Sequence, residues 1–253
     1  MAKMRGILRF IWFVLVITFF IGRFLLYRLF VKDKISLGLK HRARFCRFIL
    51  WSLGVRVKVK GSMTKGTVMY IGNHRSYLDP IVALKDVLAF PVAKAEVSKW
   101  PLIGKGAAET GIIFVSREQR ASRVATREAM ANSLRQGHSV LIYPEGTTHI
   151  LPATIDFRLG AFNTAVREKV PVVPMVIHYE NIQDAWIGDD TFIRHFVECF
   201  GKRRTHITQV YGEPIEAEDG LSLRQFTKEW IDHQMAALAP EPADKLPQGQ
   251  GQE

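Results

Sequence analysis

Cysteine is nearly missing from this 253-residue chain: only Cys46 and Cys199 occur. Two thiols make neither a disulfide framework nor a metal cluster, which suits a reducing compartment. Neither His41 with Cys46 nor His195 with Cys199 gains the further ligand that a zinc site needs, so no metal is expected. Acidic residues are also short, 24 against 35 Lys and Arg, for a formal charge of +11. Such a balance predicts an anionic partner: nucleic acid, acidic lipid headgroups or a phosphorylated substrate. No nucleic-acid-binding module is recognisable. Internal repeats are absent, and so is a Gly-x-Ser-x-Gly elbow, which leaves Ser76 a poor nucleophile candidate.

The N-terminal apolar run, Phe10 to Gly22 between Arg9 and Arg23, would reach only about 20 Å as a helix against the ~30 Å of a bilayer core. It does not end in a small-residue cleavage site, which argues against a signal peptide. Basic residues lie on both sides of it, so the positive-inside rule gives no orientation, and the symmetry hints at a hairpin on one leaflet. Ser36 to Leu53 mixes Lys40, Arg42, Arg44 and Arg47 with Phe45, Phe48, Ile49 and Trp51. That pattern fits an amphipathic helix on an anionic bilayer and equally a helix packed on a soluble domain.

From Val55 short β-branched runs alternate with helical stretches, the pattern of an α/β domain. Strands are expected near 55–59, 68–71, 92–93, 112–115, 140–143, 172–177 and 207–211. Helices are expected near 81–88, 117–135, 157–168, 191–200 and 223–238. The fold class is therefore α/β, a mixed central sheet flanked by helices and preceded by a membrane-associating helical hairpin. The segments are 1–54 for the hairpin, 55–238 for the catalytic domain and 239–253 for a disordered, Pro-, Gly- and Gln-rich tail.

The chemistry centres on Thr67 to Pro80, where a strand turns at Gly72-Asn73 and presents His74 and Asp79. Five residues apart on a helix they would diverge by about 140°, so they meet only across a turn. Asp79 before Pro80 also reads as a helix N-cap with proline at the first helical position, a role compatible with holding a histidine ring. Three further blocks stand at strand ends: Gly111 to Arg117, Tyr143-Pro144-Glu145-Gly146-Thr147-Thr148, and Val170 to Pro174. Arg117 has the planar fork that grips phosphate, and the Glu145 block offers backbone amides, a hydroxyl and a carboxylate. Pro171 and Pro174 read as marking a sheet edge or an entry turn.

In order and spacing these blocks, with Val92 to Glu96, Pro101 to Gly104 and Phe157 to Ala161, resemble the glycerolipid acyltransferase family typified by 1-acylglycerol-3-phosphate acyltransferase. The resemblance covers roughly Val55 to Pro214. It implies acyl transfer from acyl-CoA or acyl carrier protein, used as co-substrate with no cofactor, to the hydroxyl of lysophosphatidic acid, giving phosphatidic acid. His74 matches the general base and Asp79 its partner; Arg117, Glu145, Gly146, Thr147 and Arg158 match the substrate-binding positions. Thr148 stands where many members carry arginine, and Asn181 to Arg204 reads as an insertion; both bear on the acceptor side. The implied partners are membrane lipids and a lysolipid, and the implied place is the inner membrane with the catalytic domain on its cytoplasmic side. The alternatives are another acceptor, such as lyso-ornithine lipid or a lysophospholipid, and a catalytically idle lipid-binding protein at the membrane surface.

Overall fold

A computed structural model describes residues 1–99, 110–116, 118–188 and 190–239. Arg117, the Pro101 to Gly104 block and the tail expected to be disordered lie outside the described residues. Seven strands, β1 (Val55–Lys60), β2 (Met69–Gly72), β3 (Ala89–Lys94), β4 (Ile113–Val115), β5 (Ser139–Ile142), β6 (Val172–Tyr179) and β7 (Thr205–Tyr211), form one sheet. Their order is β1-β7-β6-β2-β5-β3-β4. Every neighbouring pair is parallel except β6 with β7, so the sheet is mixed, as expected.

Strand alternation assigns each side chain to a layer. Met69, Ile71, Val140, Val172 and Val176 face α4 (Arg120–Arg135), α5 (Gly160–Arg167) and α7 (Gly220–Leu238), packing with Met130, Leu134, Phe162, Ala165, Leu223 and Ile231. Tyr70, Leu141, Val173, Met175 and Ile177 point the other way, toward α2 (Lys34–Ser52) and α3 (Asp79–Leu84) and, beyond them, α6 (Phe192–Cys199). Both faces are covered, which is why the inner strands read as unbroken apolar runs.

Pro171 stands just before β6, at its entry, whereas Pro174 departs from the expected edge. Pro174 lies inside an interior strand, paired with Ile71 of β2. It is tolerated because it sits one position past the last β6–β7 pair, Met175 with Tyr211, where its carbonyl still accepts from Gly212 N–H at 2.9 Å. Pairing resumes beyond it, where Val172 bridges Ile215, so the proline removes a single donor between two paired stretches.

The N-terminal run is longer than its uninterrupted apolar part. α1 spans Ala2–Arg28 without a break, long and apolar enough to cross a membrane. It continues through its arginines because each is accommodated. Arg9 donates to the carbonyls of Phe200 (2.8 Å) and Lys202 (2.7 Å), and Arg5 to Gly201 (3.0 Å), so the two cap the C-terminus of α6. Arg23 lies over the Phe20 and Tyr27 rings at 5.9 and 5.1 Å. Gly6 allows the close approach: a Cβ there would come within 2.1 Å of the Val197 carbonyl oxygen. α1 therefore lies along the domain, and it turns back into α2 as a hairpin sealed by Phe20 against His41 and Phe45. Leu8, Ile11, Trp12, Leu15, Phe19 and Leu26, at helical spacing, remain exposed beside Trp51 of α2.

Candidate active site

β2 ends at Gly72 and α3 begins at Asp79, and the six residues between them form the turn that the His74–Asp79 spacing requires. Asn73 pins it: its amide donates to Ile177 O (3.0 Å) and its oxygen accepts from Ile177 N–H (2.8 Å). His74 Nδ1 then meets Asp79 Oδ2 at 2.8 Å. Asp79 is fully buried. Its Oδ2 also accepts from the backbone N–H groups of Arg75 (2.6 Å) and Ser76 (2.8 Å), and its Oδ1 from the Tyr179 hydroxyl (2.6 Å). Four donors converge on this carboxylate and satisfy its charge in the interior. The N-cap expectation shifts by one residue: α3 begins at Asp79 with Leu78 as N-cap. The Asp79 oxygens turn backward to the loop, where the N–H groups of Arg75 and Ser76 donate to Oδ2.

With Asp79 accepting at Nδ1–H, the proton-free ring atom of His74 is Nε2. It carries no hydrogen bond to a described residue, and the ring stacks on Tyr143 at 4.6 Å with 14° between planes. Burial, then the charge of Asp79, pushes the Tyr143 and Tyr179 phenols well above their usual range, so both stay neutral beside the dyad.

Glu145, expected as a substrate contact, is buried among protein partners. It is 4% exposed; Oε1 accepts from His74 N–H at 2.7 Å, and Oε2 meets Ile155 N–H (3.1 Å) and the His149 ring. Both oxygens have protein partners, and through Oε1 this carboxylate holds the backbone of His74. Arg75 closes the same network from behind, donating to the carbonyls of His149 (2.8 Å) and Leu151 (2.7 Å). Its own burial lowers its pKa, an effect opposed by the charges of Glu145 and Asp79.

The histidine looks into a cavity of about 1000 Å³. Part of its lining, the apolar arm, comes from Phe13, Phe20 and Phe24 of α1, Ile49 of α2, Phe196 of α6 and Phe200 at the end of that helix. Thus the expected core face of α6 holds for Phe196 and Phe200, which also serve as cavity wall, while Ile193 is 58% exposed. The other arm is basic: Lys94, Arg123, Arg127 and Arg158 line it, with Glu96 as its acid among the described residues, and Gly146, Thr147 and Thr148 form its floor. Gly146 takes φ +73°, and Arg158 lies so close that a Cβ there would meet its Nε at 3.2 Å. The structure therefore brings His74, Asp79, Gly146, Thr147 and Arg158 to one site and sets Glu145 behind it. Sequence reasoning did not assign roles to Tyr143, Tyr179, Lys94, Arg123 or Arg127. Arg123 and Arg127 are four residues apart on α4, a spacing that would have put them on one face.

The acyltransferase family model matches residues 55–178. The lyso-ornithine lipid O-acyltransferase of Pseudomonas aeruginosa is 31% identical over 70% of this chain and 68% of its own length. The chain belongs to the acyltransferase family. A second relative of this acyltransferase, the lyso-ornithine lipid O-acyltransferase of Brucella abortus, is 27% identical over 72% of this chain and 76% of its own length. The human 1-acyl-sn-glycerol-3-phosphate acyltransferase alpha is 30% identical over 51% of this chain and 48% of its own. In fold, the acyltransferase is similar to the crystal structure of the Thermotoga maritima lysophosphatidic acid acyltransferase PlsC, with TM-score 0.74 and 21% identity over 94% of this chain and 98% of that one.

Proposed function

We propose that this acyltransferase moves a fatty acyl group from acyl-CoA or acyl carrier protein to the free hydroxyl of lysophosphatidic acid, forming phosphatidic acid. The observation that carries the proposal is that the cavity lined by His74 also carries apolar lining suited to an acyl chain and basic lining suited to a phosphate. An alcohol is far too weak an acid to attack a thioester at neutral pH unaided. In this reading His74 Nε2 takes its proton as the new C–O bond forms, and Asp79 stabilises the imidazolium through Nδ1–H. The imidazolium then returns the proton to the departing thiolate. General-base help contributes about 10²–10⁴ in rate, and positioning of the two lipids supplies much of the rest. Glu145 and Asn73 act on this step through the loop, by fixing where His74 stands.

Arg158, Lys94 and Arg127 would receive the acceptor phosphate, and Arg117 is proposed for the same role. The exposed stripe of α1 and Trp51 would lie in one leaflet, with the catalytic domain at the cytoplasmic surface of the inner membrane, where thioester donors are made. A second acceptor, lyso-ornithine lipid, is favoured by the names of two of the relatives above. Its headgroup carries a cation as well as a carboxylate, and the single acid among the described residues of the basic arm, Glu96, gives that cation little to pair with. The test is a competition in vesicles holding equal amounts of lysophosphatidic acid and lyso-ornithine lipid with one acyl thioester. Preferential formation of phosphatidic acid is expected; diacylated ornithine lipid as the main product would move the acceptor to the second reading, and no product from either would refute both.

A further inference from the structure

Glu145 holds the backbone of His74, and Glu145 is itself held by a residue to which the proposed transfer gives no role. His149 follows Thr148, which lines the cavity, but is not part of that lining. The chain bends back over Glu145 at a turn closed by Gly146 N–H on Tyr143 O (3.2 Å), with Gly146 at φ +73°. The two ring nitrogens have different tasks. Leu151 N–H donates to Nδ1 at 3.2 Å, so Nδ1 bears no proton. Nε2 therefore carries it and donates to Glu145 Oε2, since a carboxylate only accepts. Arg75 stands against the same ring, its Nη1 2.8 Å from Nδ1 and 3.1 Å from Nε2, while its guanidinium also grips the His149 and Leu151 carbonyls. The imidazole thus links a buried cation to a buried carboxylate. Without the ring, Oε2 would keep only the Ile155 N–H at 3.1 Å, on a side chain with no exposed surface. A buried charge short of donors is costly, and the carboxylate would shift to find others.

Resting on the function proposed above, we infer that His149 is a positioning residue for acyl transfer. It orients Glu145 through Oε2; Glu145 Oε1 accepts from His74 N–H at 2.7 Å, and this fixes the point from which His74 Nε2 takes its proton. The chain Arg75, His149, Glu145, His74 moves no proton of its own. It ends on a backbone N–H and not on the reacting imidazole, so its effect is one of placement.

The experiment compares His149→Leu, which removes the donor, with His149→Gln, whose amide nitrogen falls about where Nε2 stands. Both are assayed as the full chain in vesicles with an acyl thioester and varied lysophosphatidic acid. In His149→Leu kcat should fall by about tenfold with the acceptor KM within about twofold of wild type, because a displaced base slows the chemistry while no lipid contact is lost. In His149→Gln, where the donor is returned, kcat should recover to within about threefold of wild type. Because His149 acts through Glu145, adding His149→Leu to Glu145→Gln should cost nothing beyond Glu145→Gln alone. Wild-type kcat in His149→Leu, a raised KM at unchanged kcat, or fully additive losses would overturn the inference. So would a Gln variant that is as slow as the Leu variant or does not fold, since either would mean that the ring acts by its bulk. Should His149→Leu not fold, the ring tautomer decides. In protein labelled with ¹⁵N-histidine, the ring whose signals vanish in His149→Gln should be protonated at Nε2; a ring protonated at Nδ1 alone overturns the inference. If the wild type transfers an acyl group from no thioester, the function proposed above fails, and the same spectrum still decides whether His149 donates to Glu145.

Discussion

Replacing Glu145 by Gln separates a residue that holds the machinery from one that touches substrate. The carboxylate accepts from His74 N–H through Oε1 and from Ile155 N–H and His149 through Oε2. An amide has one oxygen to offer, so in either orientation its NH₂ faces a buried backbone N–H. Leaving one buried donor unanswered costs about 1–3 kcal/mol. For a domain of this size that is a fall in Tm of roughly 2–12 °C. The larger effect should be kinetic. The bond fixes the histidine backbone, and a displacement near 1 Å at a reacting group costs about 10²-fold. We therefore expect kcat to fall by about 10–10² with the acceptor KM within about twofold of wild type, because no lipid contact is removed. Steady-state kinetics in vesicles with varied lysolipid, beside a thermal melt, reads both quantities. A raised KM with unchanged kcat would refute the reasoning and return Glu145 to the substrate.

Asp79→Asn keeps a hydrogen-bonding group of the same shape but removes the charge that stabilises the imidazolium, and kcat should drop by about 10³–10⁴; a loss below tenfold in the same kinetics would contradict the dyad. Tyr179→Phe deletes the 2.6 Å bond to Asp79 Oδ1. It should cost about 1–2 kcal/mol in denaturant unfolding with a smaller activity loss than Asp79→Asn, and the reverse order would argue against the network as drawn. Arg9→Ala frees the carbonyls that end α6, and a lowered Tm with retained vesicle binding is expected; an unchanged melt would mean that α1 is not anchored there. Phe162→Ala empties a fully buried site between sheet and helices and should cost about 3–5 kcal/mol, checked by chemical denaturation.

Much of the fold was legible because burial on both sides of the sheet writes apolar strands directly into the chain. Boundaries moved where tertiary contacts overrode local cues. β3 begins at Ala89 rather than Val92, because Ala89 and Phe90 pair with Ser139 and Val140. α1 passes through arginines that look like stops until the carbonyls of α6 are brought to them. The His74–Asp79 pair was legible from spacing and resemblance together. What sequence could not supply were long-range partners: Tyr179 is 100 residues from Asp79, and Ile177 is 104 from Asn73. The partners of Glu145 could not be read from sequence, since a carboxylate in a Gly-containing turn looks the same whether its oxygens face a ligand or the amides of the next loop.

The most direct test of the central claim is turnover by His74→Ala, measured in vesicles with an acyl thioester and lysophosphatidic acid, alongside its melting temperature and vesicle binding. The account predicts a folded, membrane-bound protein whose acyl transfer has fallen at least about 10²-fold, the lower bound for losing a general base. A folded variant that still transfers the acyl group at near the wild-type rate would contradict it.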